Sequence, residues 1–225
     1  VDSGDSSPAQ ARAALAFWRE EIGRLYAGGP AHPVAVGLLP HVRSFFLPRE
    51  AFLEVIRGCE MDLDVKGYET FESLEPYLKG VASAVGLLCV EIFGHRWTGR
   101  ERLDEFARLF GYAFQLTNII RDVGADLDIG RVYLPIADME QAGYSLAAVK
   151  RRERGAAFAR LMDLEYRRAK GFYAQARAAL DPRDRKAMLP AEIMAHIYEG
   201  LLDQMKDEGF QVLSGRTRQT KWAKL

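Results

Sequence analysis

The sequence predicts an all-α protein, a single helical bundle around a central cavity. Three observations carry that prediction. Apolar residues recur with helical spacing through most of the 225 residues, and no strand-like alternation, internal repeat or low-complexity segment interrupts them. Prolines and glycines fall between the periodic stretches, at Gly28-Gly29-Pro30, Leu47-Pro48, Gly130 and Asp181-Pro182, where they end helices. Residues 115–126 are apolar nearly all round except for one polar stripe, and such a stripe faces an internal cavity rather than solvent.

In chain order, Ser7-Pro8 reads as an N-cap followed by proline at the first helical position, opening a helix over 8–26. Two helices follow over 33–46 and 48–59, and the acidic residues Glu60, Asp62 and Asp64 fall in a turn-like segment, solvated or, for Asp62, behind the site. Thr70 caps a long helix over 71–93, whose run of small residues either packs closely against another helix or leaves space beside it. The central helix spans 100–126 and breaks over 130–135. A charged helix over 146–180 carries a basic run from Lys150 to Arg154, read as a solvated face or a surface contact rather than a site, and a last helix covers 191–208.

Composition excludes several classes. Lys plus Arg and Asp plus Glu are 31 each, so no net field points to nucleic acid. Cys59 and Cys89 have no paired spacing and read as small core residues in a reducing, cytoplasmic setting. His32, His41, His95 and His196 show no metal-ligand spacing. No 18-residue apolar run is expected to span a membrane, and peripheral membrane contact and oligomeric state are left open.

The stripe itself is Gln115, Asn118, Asp122 and Asp126, spaced three, four and four, hence on one helix face. Two carboxylates one turn apart repel and are costly to bury unpaired. Mg2+ removes that cost, and it takes only one or two protein carboxylates before completing its shell with water and substrate phosphates. The bland alternative is an amphipathic helix with solvated aspartates; Asn118, Gln115 and the bulky Leu116, Ile119, Ile120 and Val123 argue against it. Gly124, a costly residue inside a helix, implies that something approaches the backbone there.

The run QLTNIIRDVGAD followed by GRVYLP closely resembles the second aspartate-rich signature of the squalene/phytoene synthase family. The resemblance implies an isoprenoid synthase type I fold and the head-to-head condensation of two allylic diphosphates, dependent on Mg2+. It makes Asp122, Asp126 and Asn118 metal ligands, gives Gln115 and Tyr77 catalytic roles, and places Arg121, Arg131, Tyr133, Tyr198 and Arg216 on the diphosphates. The family pattern Y-x-x-x-V-A-x-x-V-G is kept from Tyr77 to Gly86, so Val81, Ala82, Val85 and Gly86, facing Ala107 and Gly111, are expected to line the prenyl pocket and set chain length. Leu78 and Lys79 depart from phytoene-type members. The family carries a second D-x-x-x-D on a facing helix, and Val1 and Asp2 stand where that motif ends. Asp2 would be its surviving metal ligand, with Asp5 an alternative, so residues 1–225 are expected to form one domain lacking its N-terminal helix.

The implied reaction is the condensation of two farnesyl diphosphates to presqualene diphosphate or squalene, with NADPH needed only if it continues to squalene. The stretch from Gly86 to Gly94 looks more like bacterial hopanoid-pathway enzymes than like phytoene synthases. The alternatives are a phytoene synthase condensing two geranylgeranyl diphosphates and a non-catalytic relative acting in assembly. A terpene cyclase or chain-elongating synthase would carry D-D-x-x-D, which is absent.

Overall fold

The computed structural model describes residues 7–214. Among them are ten α-helices: α1 (Pro8–Ala27), α2 (Pro33–Ser44), α3 (Arg49–Asp64), α4 (Phe71–Leu78), α5 (Ala84–Phe93), α6 (Arg100–Asp128), α7 (Ile136–Gln141), α8 (Leu146–Lys150), α9 (Ala156–Ala179) and α10 (Leu189–Asp207). A single isolated bridge, Gly67 to Val132, is the one extended pairing among the described residues, so the all-α prediction holds. Local signals act as read. Ser7 and Gln10 form a capping box at α1, Thr70 and Ser73 another at α4, and Gly28 ends α1 at φ 87°.

Helix α6, 29 residues long, is the spine. It packs against α9 on one side and against α4, α5 and the π-turn Lys79–Ser83 joining them on the other. Small residues let backbones touch there. A Cβ on Gly111 would lie 2.5 Å from the Ser83 nitrogen, and one on Gly86 would lie 2.9 Å from the Ala107 carbonyl oxygen. A second, smaller apolar cluster joins α1, α2 and α3 through Leu15, Ile22, Leu25, Val42, Leu47 and Ile56.

Several expectations are corrected. The third helix continues to Asp64, because nothing in the acidic segment breaks it, and this puts Asp62 on a helix rather than in a turn. The helical stretch Phe71–Phe93 is long and apolar enough to cross a membrane by length and composition, contrary to the sequence expectation. Its packing against α3 and α6 makes it a bundle element. The expected helix over 146–180 is two helices, divided at Arg152 (φ 54°) and Gly155 (φ 156°). In the basic run at that division Lys150, Arg151 and Arg154 are exposed, and Arg152 and Arg154 make surface contacts that clamp residues 211–214. The Arg152 guanidinium donates to the carbonyls of Leu213 (2.7 Å) and Gly124 (3.2 Å) and pairs with Asp128, while Arg154 donates to Ser214 Oγ (2.8 Å). What approaches Gly124 is therefore the turn Gln211–Leu213: a Cβ there would lie 2.6 Å from the Val212 carbonyl oxygen.

Behind α6, Glu165 on α9 is fully buried and shares Arg168 with Asp138 of α7. Burial pushes the Glu165 carboxyl up to about 7 despite the adjacent guanidinium.

Candidate active site

Two adjoining cavities lie along α6. The first, about 580 Å³, is polar and is lined by Gln115, Asn118, Arg121, Asp122 and Asp126 of α6, by Asp62 and Tyr77, and by Arg131 and Tyr133. The second, about 210 Å³, is apolar and is lined by Val81, Ala82, Val85, Gly86 and Cys89 on one side, Ala107, Phe110, Gly111 and Phe114 on another, and Ala191 and Met194 of α10. Gln115 and Asn118 line both. The predicted stripe is thus the seam between a polar chamber and an apolar one.

The seam is electrostatically prepared. Asp122 is only 8% exposed, and both its oxygens accept from Arg121, at 2.9 and 2.5 Å. The repulsion expected between the two aspartates is offset on one of them by a neighbouring cation. Arg121 also sits beside Tyr198, whose ring packs edge-on against Phe114 at 5.1 Å. The Asn118 amide nitrogen donates to Gln115 Oε1 at 3.3 Å, but Asn118 Oδ1 is buried without a hydrogen-bond partner. A buried carbonyl oxygen left bare is costly, and it becomes favourable when a cation or a donor arrives.

The opposite wall holds the residue that sequence reasoning underrated. Asp62 accepts from the Tyr133 hydroxyl at 2.7 Å and from Tyr77 at 3.5 Å, and its backbone carbonyl accepts from Arg131 at 2.9 Å. The break after α6 is sewn to the segment after α3 by Val132 N–H to Lys66 O, Ile136 N–H to Tyr68 O and Ala137 N–H to Glu69 O. That stitching brings Arg131 and Tyr133 to Asp62. Tyr77, Tyr68 and Tyr133 form a ring stack, with Tyr77 and Tyr133 centroids 5.0 Å apart. Burial, with Asp62 beside them, pushes all three phenols well above their ordinary range, so they stay protonated at neutral pH; Tyr77 and Tyr133 donate to Asp62, while the Tyr68 hydroxyl is buried without a partner among the described residues. In the sequence Asp62 was masked by reading Glu60, Asp62 and Asp64 together as a turn, and its partners Tyr77 and Tyr133 lie 15 and 71 residues further on.

All the residues expected to line the prenyl pocket, Val81, Ala82, Val85, Gly86, Ala107 and Gly111, border the apolar cavity; Gly86 and Gly111 also carry the backbone contacts between α5 or the π-turn and α6. Asp2 and Arg216 lie outside the described residues.

The donor set fits a hard divalent cation. Asp122, Asp126 and the bare Asn118 oxygen are oxygen donors on one helix face, and among the described residues no cluster of three or more His, Cys, Asp or Glu could hold a metal unaided. That suits an ion whose remaining ligands come from water and substrate phosphates.

An all-helical bundle with a polar, carboxylate-bearing chamber opening onto an apolar one is the architecture of a prenyltransferase that binds a diphosphate at one end and an isoprenoid chain at the other. The chain belongs to the squalene/phytoene synthase family, whose sequence model matches residues 1–223. Members of that family are prenyltransferases that bind prenyl diphosphates with a divalent metal. The presqualene diphosphate synthase of Zymomonas mobilis is 36% identical over 100% of this chain and 76% of its own length. The phytoene synthase of Arthrospira platensis is 32% identical over 94% of this chain and 72% of its own. Among solved structures, squalene synthase HpnC from Alicyclobacillus acidocaldarius superposes with a TM-score of 0.79 at 29% identity, covering 88% of this chain and 74% of that one. A dehydrosqualene synthase in complex with ligand gives 0.82 at 26% identity, covering 94% and 74%.

Proposed function

We propose that the chain condenses two farnesyl diphosphates head to head to presqualene diphosphate, with NADPH required only where the reaction continues to squalene. The observation that carries this reading is the seam: Gln115 and Asn118 line both the polar and the apolar cavity, so a diphosphate held at one places its allylic chain in the other.

Asp122, Asp126 and Asn118 would hold Mg2+, which supplies the positive charge a leaving diphosphate needs. Arg121 and Arg131 flank the chamber and supply further cationic donors to phosphate oxygens. The Tyr77 and Tyr133 phenols donate from the opposite wall, and Asp62 orients them. On loss of a substrate proton, Tyr77 receives it while passing its own to Asp62, which avoids a buried phenolate. Phe106, Phe110 and Phe114 line the apolar cavity and would keep water from the carbocation.

A second reading, condensation of two geranylgeranyl diphosphates to phytoene, is favoured by the similarity to the Arthrospira phytoene synthase. Incubation with each diphosphate, with and without NADPH, separates the two by product. Presqualene diphosphate from farnesyl diphosphate supports the first reading; phytoene formed in preference overturns it.

A further inference from the structure

A buried ion cluster behind the tyrosine wall is left unused by the chemistry above. The Arg168 guanidinium of α9 donates to both Asp138 oxygens of α7, at 2.7 and 2.9 Å. It also donates to Glu165, one turn earlier on its own helix, at 2.8 and 2.9 Å. Its third partner is the Phe71 ring at the start of α4, whose centroid lies 4.5 Å from the guanidinium carbon. Phe71 in turn stacks on Phe172 of α9 at 5.8 Å. Glu165 is fully buried, Asp138 is 6% exposed, and neither borders the two cavities along α6.

A buried cluster of this kind adds little net stability, since apolar packing of the same volume does as well or better. Here two carboxylates share one cation; burial raises the Glu165 carboxyl, and Asp138 beside it raises it further. What an apolar contact lacks is direction. A guanidinium fork fixes the plane of the carboxylate it holds, and its flat face fixes a ring laid against it. The fork holds α7 and the face holds α4. Helix α7 begins directly after the break that carries Arg131 and Tyr133, and α4 carries Tyr77. Between these two anchored ends run the backbone bonds from Val132, Ile136 and Ala137 to Lys66, Tyr68 and Glu69, which seat Tyr133 on Asp62.

We propose that Arg168 is a positioning residue for the reaction, fixing α7 through Asp138 and α4 through Phe71 so that the Tyr77 and Tyr133 hydroxyls meet Asp62 together, a role that rests on the proton transfer assigned to that wall under the proposed function. Glu165 lies on the same helix as Arg168, so its bonds to the guanidinium tie no further element to α9.

The test compares Arg168→Lys, Asp138→Asn and Glu165→Gln in the whole chain. Lysine keeps the charge and loses both the fork and the flat face. Asparagine removes the charge by which Arg168 holds α7. Glutamine at 165 keeps an acceptor for Arg168 and leaves the pair with Asp138 in place. Two readouts are taken: steady-state kinetics with farnesyl diphosphate and Mg2+, and amide hydrogen exchange of peptides covering 66–70 and 131–137. Arg168→Lys and Asp138→Asn should each lower kcat about tenfold with KM within about twofold, because the wall shifts while the α6 stripe is untouched. Exchange in the two stitched segments should quicken about tenfold in both, with α1 unchanged. Glu165→Gln should leave kcat and that exchange within about twofold. Unchanged exchange at 66–70 and 131–137 in both variants would overturn the proposal, as would a loss seen in KM alone. A loss of kcat in Glu165→Gln equal to theirs, or faster exchange through the whole chain including α1, would make the cluster a general brace and overturn it as well. If the unaltered chain forms no product from farnesyl diphosphate, the proposed function fails separately, and the exchange readout alone decides whether Arg168 holds the wall.

Discussion

Substitution of Ala82 by phenylalanine separates cavity wall from helix contact. Ala82 is half-buried and faces the apolar cavity of about 210 Å³. A cavity of about 150 Å³ accommodates benzene, so a phenyl group at this position takes up most of the available space. The filling costs about 1–3 kcal/mol at most if neighbours must shift. Gly111→Ala is the contrasting change. Its Cβ would meet Ser83 backbone at 2.5 Å, so α6 must move away from the π-turn. The gain in helix propensity of about 1 kcal/mol is then outweighed by overpacking, and the melting temperature should fall by several degrees. The assay is product length from farnesyl and geranylgeranyl diphosphates beside a melting curve. Ala82→Phe should reject the longer substrate first and remain folded, whereas Gly111→Ala should lose stability and keep its preference. A folded Ala82→Phe with unchanged preference would refute the assignment of this wall.

Tyr133→Phe removes the 2.7 Å hydrogen bond to the part-buried Asp62; it should lower stability by about 1–3 kcal/mol in denaturant titration and reduce turnover. The raised Glu165 carboxyl predicts a pH effect. The folded state holds a proton that the unfolded state releases, so stability is greatest below pH 4.5 as far as this group is concerned and falls as pH rises to about 7, by up to roughly 1.4 kcal/mol per pH unit. Glu165→Gln should flatten that slope in melts from pH 5 to 8, with Arg168 and Asp138 left paired; an unaltered slope would assign the dependence elsewhere.

The fold was readable because its punctuation is strong. Ser7-Pro8, Thr70 and the glycine and proline pairs mark helix ends by local chemistry, and α6 declares itself by an apolar surface with one polar stripe. The 146–180 stretch was misread because Arg152 and Gly155 break the helix through backbone conformations that periodicity does not encode. Gly124 was legible as a close approach, but not its partner, because the turn at residues 211–213 is distant in sequence. The site was half legible for the same reason. Gln115, Asn118, Asp122 and Asp126 lie on one helix, so spacing alone assembles them. Asp62 meets Tyr133 across 71 residues, through hydrogen bonds between two irregular segments that no local pattern announces. Arg121 was assigned to substrate, yet here it also neutralises Asp122, so Asp122→Asn should cost some stability rather than add it.

The central claim is that the α6 stripe binds a metal–diphosphate pair, and ligand-induced stabilisation of Asp126→Asn tests it most directly. Melting curves are recorded for the unaltered chain and the variant, with Mg2+ alone, a non-hydrolysable prenyl diphosphate analogue alone, and both together. With both at about a hundred times the dissociation constant, the unaltered chain should gain about 2.7 kcal/mol, and each component alone much less. Asp126→Asn should fold normally, gain little under any condition and lose turnover by orders of magnitude. A variant that gained the same stabilisation and kept its turnover would contradict the account.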